Sequence, residues 1–533
     1  MAKFTGHTIT SDSALGDAKI LRSLRFNSSD TTYLSRTPSS TGNQKVWTWS
    51  AWVKRAKLGS SSQYLFVSME TSGSGDGIAG LYFQSDQLYT YYDTSSGHTY
   101  GAVNSRKYRD TSAWYHIVWQ VDAANTTHRI WINGVEETGL SNNPIDYNYT
   151  MNQSGWPNVM GTSPWNTSSA PANMYLAEVN HIDGSLIAPT EFGFTDPVTN
   201  IWMPKRYEGT YGTNGFNLDF SDNSSTAALG IDKSPNGNDF TANNFSVSAG
   251  AGNDSVEDTP TNNFCVLNPL ATKSGNVTLT NGNLDASFGT VSGGGGVVGT
   301  FAVSSGKWYW ETTITAASGS ARITIGVVDD TFATYSGSVF YEPGLTSASY
   351  GYVNSGTKYN NNTDTSYGAS YTTNDVIGVA LDLDKGTITF YKNNSSQGQA
   401  FSGLTGGFLP AIGDGSSAAT HSTVSNFGQR AFAYTPPSGY KALSSRNLPP
   451  NVPSIIRPQK HFDIILYTGQ STSSLYNVTG LEFAPDFVWA KARNDTIGHI
   501  FIDTVRGDDK QLEGNLPNAE VTRGTPSYRF LKD

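Results

Sequence analysis

Two pairs of carboxylates lie close enough in the chain to invite a catalytic reading, Glu178 with Asp183 and Asp382 with Asp384. Hydrolysis of a glycosidic bond needs two such groups, one acting as acid and the other as nucleophile or base. Glu178 and Asp183 stand five positions apart, which on a continued strand puts the side chains on opposite faces, and a turn intervenes. Both pairs therefore read as solvent-facing or turn-capping acids, and no catalytic residue is assigned. The 8 histidines, spread from His7 to His499, show no His-x-His or His-Glu-x-x-His spacing, and a single cysteine cannot complete a zinc site. Cys265, in Phe264-Cys265-Val266-Leu267, is expected to be a small buried hydrophobe rather than a reactive thiol. No Gly-x-x-x-x-Gly-Lys-Ser/Thr string occurs, and Gly293 to Gly296 is expected to form a flexible loop tip.

Aromatic rings are the other residues with a chemical use, since they stack on sugar faces while neighbouring Asn, Asp and Ser bond the hydroxyls. Tyr89, Tyr91 and Tyr92 form one cluster; Tyr350, Tyr352, Tyr359 and Tyr367 form a second in a Gly/Ser/Asn-rich stretch. These seven are the candidate ligand-binding residues. The competing expectation is packing against a neighbouring sheet or subunit. The second cluster is the stronger candidate because its surroundings read as loop, and loops carry function.

The elements that would position these groups are strands. With 55 Gly, 28 Tyr, 25 Phe and 12 Trp and only 15% charged residues, the composition favours strands joined by tight turns. Alternation is clear in Trp47 to Lys54, where Trp47, Trp49, Ala51 and Val53 share one face and Thr48, Ser50, Trp52 and Lys54 the other. Trp114 to Val121 and Arg129 to Ile132 follow, and then Asn133-Gly134, a strong hairpin signal because both residues tolerate positive φ. Met174 to Val179 closes the first block. A second block holds Trp308 to Ile314, Arg322 to Val327, and Val376 to Leu383 joined through Asp384-Lys385-Gly386 to Thr387 to Lys392. Between the blocks, a Gly/Asn/Ser/Asp-rich stretch carries regularly spaced aromatics, which argues for an ordered wrap rather than a floppy linker.

In the first block, the order Ser23-Leu24-Arg25-Phe26, Trp49 to Lys54, Trp114 to Val118, Ile132-Asn133-Gly134-Val135 and Ala177-Glu178-Val179 resembles a LamG, or concanavalin A-like lectin/glucanase, domain. In the second, Gly306 to Glu311, Ile325-Gly326-Val327, Asp375 to Asp382 and Ile388 to Asn393 resemble a SPRY domain, a concanavalin-like sandwich that presents binding loops. The resemblance implies an all-β fold: two concanavalin A-like antiparallel jelly-roll sandwiches, an extended connector and a small β-rich C-terminal segment. Glucanases of this type carry Glu-x-Asp-x-x-Glu on one strand, and no such string is present here. Many LamG-like domains hold calcium, so a calcium ion is the one cofactor left open. Asp219, Asp222 and Asn223 could contribute oxygen ligands, against the plainer expectation of turn chemistry.

Boundaries are expected at 1–20 for an N-terminal segment suited to attachment, 21–194 for the LamG-like sandwich, 195–275 for the connector, 276–433 for the SPRY-like sandwich, 434–460 for a Pro-rich linker and 461–533 for the C-terminal segment. That last segment is similar to one that recurs, longer, at the ends of phage structural proteins of marine type, so a shortened form or completion by a neighbouring chain is expected. Taken together, the architecture resembles fibre or virion-surface proteins of marine bacteriophages. It implies a non-enzymatic tail fibre or spike-like protein that attaches to host-surface glycan, with a capsid-decorating or head-fibre protein and a polysaccharide-degrading enzyme as alternatives. A net charge of -10 offers no basic stripe, so no nucleic-acid partner is expected. Met1 to Ala18 lacks a basic segment followed by an apolar core, and no run of about 18 apolar residues occurs, so no membrane insertion is expected. The expected setting is the virion surface after synthesis in the host cytoplasm, with other virion proteins as partners and a homo-oligomer, most plausibly a trimer, as the assembled state.

Overall fold

The alternation in Val46–Arg55 is what organises the first sandwich. Trp47, Trp49, Ala51 and Val53 enter the main core, with Trp49 stacked on Phe66 at 6.2 Å and Trp47 edge-on to Trp119 at 5.7 Å. This strand lies between Trp114–Asp122, with Trp49 opposite Trp119, and Met174–Asp183. The structure is a computed structural model and describes residues 19–70, 77–94, 97–102, 106–140, 144–163, 171–197, 199–272, 276–290, 294–319, 321–331, 342–415, 419–448, 461–468, 478–481, 483–507 and 509–522. Among them the all-β expectation is borne out: antiparallel sheets dominate, and the helical turns are short 3-10 segments such as Ala123–Asn125. The chain forms two units, Met1–Asn451 and Val452–Asp533.

In the first unit the N-terminal sandwich pairs an eight-stranded sheet with a seven-stranded one. The stretch assigned as connector supplies strands to both: Phe216–Leu218 pairs with Met174–Asp183, Ser255–Val256 with Ser23–Phe26, and Thr241–Asn243 with Tyr33–Arg36. Leu267–Thr272 then enters the second sandwich beside Gly295–Gly299. Even the polar face of Val46–Arg55 is covered, Trp52 lying 4.8 Å from the His116 ring. The expected Asn133-Gly134 turn has φ of 51° and 78° and joins Thr127–Ile132 to Val135–Glu136. A Cβ on Gly134 would lie 2.4 Å from the Trp202 ring, so glycine answers a steric need as well as a conformational one.

The second sandwich has sheets of seven and eight strands around Trp308, Trp310, Ile325, Val379 and Phe390. Val376–Asp382 and Thr387–Lys392 form the expected hairpin, with Leu381 opposite Ile388. The glycine run is corrected: Gly295 and Gly296 lie in a buried strand paired with Phe408–Asp414, because small residues allow close approach there, while Gly293 falls outside the described residues. The stretch assigned as linker also contributes, Lys441–Ala442 pairing in parallel with Trp308 and Tyr309; residues 449–460 lie outside the description. The N-terminal segment 1–20 is described only at Lys19 and Ile20.

Polar contacts join the sandwiches, Tyr175 Oη donating to Gly282 O at 2.7 Å and Arg430 Nη1 to Ala251 O, while within the first sandwich Arg25 pairs with Asp254 at 3.0 Å with both side chains buried. The second unit is a four-stranded sheet of Phe487–Ala490, Ile500–Asp503, Lys510–Glu513 and Val521–Thr522. Among its described residues Ile502 is the one fully enclosed hydrophobic side chain, whereas Phe487 and Trp489 are 56% and 60% exposed.

Candidate functional site

At one rim of the N-terminal sandwich, loops far apart in sequence converge on an open cleft of about 610 Å³. Its walls come from Thr41 to Lys45, Asn148, Asp183 with Gly184, and Gly212 with Thr213. These loops are held by main-chain bonds. Gly42 N donates to Asn152 O at 2.8 Å, Gly184 N to Val46 O at 3.0 Å, and Asp183 N to Tyr211 O at 2.9 Å. Gln44 Nε2 donates to Tyr149 O at 2.7 Å, and Asn43 Oδ1 accepts from the amides of Lys45 and Val46.

Asp183 is the brace of this cleft. One carboxylate oxygen accepts from Asn43 N at 2.7 Å and the other from Asn214 N at 2.9 Å, tying two loops to the end of Met174–Asp183. Burial raises its carboxyl pKa above the ordinary range, while the two amides and Arg36 oppose that rise. The approach is so close that a Cβ on Gly42 would lie 1.9 Å from Asp183 Oδ2, and one on Gly212, at φ +72°, would lie 2.1 Å from Asp183 O. The remaining lining is exposed amide, hydroxyl and backbone from Thr41, Asn43, Asn148, Gly184, Gly212 and Thr213. Lys45, the lining cation, is paired with Asp146 at 2.6 Å. A pre-formed, nearly neutral cleft rich in donors and acceptors suits a polyhydroxylated ligand better than a phosphate or an apolar cofactor.

The carboxylate pairs singled out in the sequence do not converge. Glu178 is the extra residue of a β-bulge, at φ +47°, and accepts from Asn217 Nδ2 at 3.0 Å, whereas Asp183 braces the cleft. Burial pushes the Glu178 carboxyl up to about 7, with the nearby Asp219 charge acting in the same direction and the Asn217 amide against it. Asp382 accepts from Lys385 N and pairs with Lys307 at 3.3 Å, and Asp384 accepts from Gly306 N. Asp219 accepts the amide and hydroxyl of Ser221, and Asp222 the amide of Ser224, so both cap turns. No cluster of three or more His, Cys, Asp or Glu able to hold a metal occurs among the described residues. Cys265 is fully buried, its thiol pKa pushed up to about 11 by that burial.

The tyrosine clusters are each divided by strand alternation. Tyr92 points into the core, accepting from Trp119 Nε1 at 3.0 Å and lying 3.0 Å from His128 Nδ1, and has no ring face left for a sugar. Tyr89 and Tyr91 lie on the opposite face, Tyr89 stacked on Tyr82 at 5.5 Å and Tyr82 tilted against Tyr64 at 5.2 Å; Tyr91 is buried there and Tyr89 half-buried. In the second cluster Tyr352 is a core residue donating to Ala369 O, and Tyr359 is buried beneath Arg322 at 4.6 Å. Tyr350 packs on Phe401 at 5.1 Å, and Tyr367 meets Tyr352 edge-on at 5.3 Å. Tyr91, Tyr92, Tyr352 and Tyr359 are therefore corrected to packing residues. Sequence reasoning missed the cleft because no run of chain carries it. The turn expected between Glu178 and Asp183 is a bulge in a continuing strand, and the available signal was Gly184, just past the strand end at Asp183, together with the cluster of Thr, Gly and Asn at 41–43.

Comparison with known proteins agrees with this architecture. Residues 27–188 match the concanavalin A-like lectin/glucanases superfamily, 307–430 the SPRY domain, and 457–530 a domain of unknown function, DUF7483. LamG-type and SPRY domains are thus both present. Protein ssh4 of Neurospora crassa is 33% identical over 130 residues, 24% of this chain and 24% of that protein, so the chain spans about a quarter of that relative's length. The SPRY domain of human HERC1 aligns at 22% identity over 31% of this chain and 99% of that one, with a TM-score of 0.27. A heptameric SAP-like pentraxin from Limulus polyphemus aligns at 14% identity over 32% and 79% of the two chains, with a TM-score of 0.26. Lectin-like sandwiches of these families suggest binding or recognition.

Proposed function

We propose that this chain is a non-enzymatic recognition protein that binds glycan through the polar cleft of its N-terminal sandwich, and that it works as a tail fibre or spike-like component on the surface of a bacteriophage. The observation that carries the binding reading is the cleft itself, whose free groups are amides, hydroxyls and backbone atoms and whose carboxylate is committed to two loop amides. Such a site binds a sugar weakly. Repetition in a homo-oligomer, with a trimer as the working expectation, would then strengthen attachment by about a hundred- to ten-thousand-fold without a new contact. The virion setting rests on the combination of modules in one chain, and other virion proteins are the partners it implies. A capsid-decorating role uses the same cleft and differs only in the point of attachment.

Screening the full-length protein against a panel of bacterial surface polysaccharides tests the reading. Retention on at least one glycan, without release of reducing sugar, is the expected result. Reducing-sugar release abolished by Glu178→Gln would replace this reading with the enzymatic one. Immunolabelling of purified phage particles separates tail from head, and no particle association at all would remove the virion role.

A further inference from the structure

On the face of Val46–Arg55 turned away from the main core, Lys54 is fully enclosed. Its Nζ lies 2.7 Å from Asp258 Oδ2, 2.8 Å from Asn263 Oδ1 and 3.0 Å from Phe264 O. The side chains of Lys54 and Asp258 are both 0% exposed. The other Asp258 oxygen accepts from Trp114 Nε1 and Phe264 N, each at 3.2 Å. Asn263 is fixed in turn: Nδ2 donates to Ser112 O at 2.6 Å, N donates to Ser445 Oγ at 2.9 Å, and its carbonyl accepts from Ser445 N at 2.7 Å. Trp52, Trp114, Tyr175, Ala177 and Val256 make an apolar cluster on this same face, and the Tyr175 ring centroid is 5.8 Å from Nζ.

The three N–H groups of the Lys54 ammonium meet three acceptors, and one of them is the Asn263 carboxamide. Here an amine, a carboxylate and a carboxamide are packed together in a dry site, which is the reactant set for amide exchange. We propose that Lys54 and Asn263 join spontaneously in an intramolecular isopeptide bond, with Asp258 carrying the proton. The ammonium of Lys54 passes a proton to the Asp258 carboxylate, and the freed Nζ attacks Cγ of Asn263. The Nζ–Cγ bond forms and the Cγ–Nδ2 bond breaks. The leaving nitrogen takes one proton from Nζ and the one held on Asp258, and departs as ammonium, so Asp258 returns to a carboxylate and charge balances. Neither oxidant nor cofactor is needed. Fixed geometry replaces the encounter of two reactants, and enclosure removes competing water. Burial raises the Asp258 carboxyl pKa above the ordinary range, with the Lys54 charge opposing, which favours the proton's stay there. The bond would fasten the central strand of the first sandwich to the segment that leads into the second, without a disulfide.

Intact mass of the denatured full-length chain decides the matter. The expected mass is lower than that of the sequence by about 17 Da, the mass of ammonia, with Lys54 and Asn263 in one branched peptide after proteolysis. A chain at the full sequence mass, with the two residues in separate linear peptides, would overturn the proposal. Asp258→Asn is expected to restore the full mass, and a folded Asp258→Asn chain that still carried the bond would overturn the role given to Asp258. Should that variant fail to fold, the wild-type mass and peptide map remain decisive.

Discussion

The two units of this chain are both built from antiparallel strands, yet they bury different amounts of themselves. In Met1–Asn451 the large aromatics are enclosed, with Trp47, Trp49 and Trp119 at 0% exposure and Trp308 and Trp310 at 1% and 2%. In Val452–Asp533 the described aromatics Phe487 and Trp489 stand open, and Ile502 is the fully enclosed hydrophobic residue. The difference teaches that strand pairing satisfies the backbone but does not make a core. A core needs a second layer, which the sandwiches have and which the described residues of the second unit do not supply.

The sharpest way to test that contrast is truncation of equivalent side chains. Trp49→Ala and Trp310→Ala are each expected to cost about 3–5 kcal/mol in chemical denaturation, whereas Trp489→Ala should change stability by less than about 1 kcal/mol. Equal losses would erase the distinction. Arg25→Ala, which leaves Asp254 buried without its cation, is expected to cost a similar amount, about 3–5 kcal/mol at neutral pH. If the loss were negligible, this buried pair would hold nothing in the first sandwich.

Titration sharpens the comparison further, because the buried groups lie in the first unit. Burial pushes His116, His181 and His421 each down to about 3. The unfolded chain therefore takes up protons first as pH falls below about 6.5, and stability should drop between about pH 6.5 and 3 with no such loss above. Glu178 acts with the opposite sign. Its carboxyl is raised to about 7, so the folded chain keeps a proton that the unfolded chain releases above about 4.5. Stability is then lost as pH rises through that window, by at most about 3 kcal/mol. Glu178→Gln should flatten that limb of the profile while leaving the acid limb in place. The smallest expected effect is proteolytic: under native conditions cleavage should begin within 461–522 and leave the two-sandwich unit intact for longer. Early cuts inside Val46–Arg55 or Lys307–Ala317 would contradict the account.

Much of the fold was legible because period-two alternation is a local signal. Trp47, Trp49, Ala51 and Val53 were assigned to one face, and that face is the core. Asn133-Gly134 and Asp384-Lys385-Gly386 announced their hairpins for the same reason, since turn geometry is written in a few residues. Alternation also held the clue that the tyrosine clusters would divide, because neighbours such as Tyr91 and Tyr92 cannot share a face of one strand. The bulge at Glu178 was hidden, since an extra residue depends on the register of the partner strand. The cleft and the Lys54–Asp258–Asn263 cluster were hidden more deeply. Lys54 and Asp258 are separated by 204 positions, and only the path of the connector brings them together.

The central claim is that recognition resides in the polar cleft, and titration calorimetry on the full-length protein tests it most directly. A glycan retained in the panel should bind wild type and lose at least about tenfold in affinity, or about 1.4 kcal/mol, in an Asn148→Ala/Thr213→Ala variant that unfolds at the wild-type temperature. Equal affinity in wild type and variant would contradict the account and move the site elsewhere on the molecule.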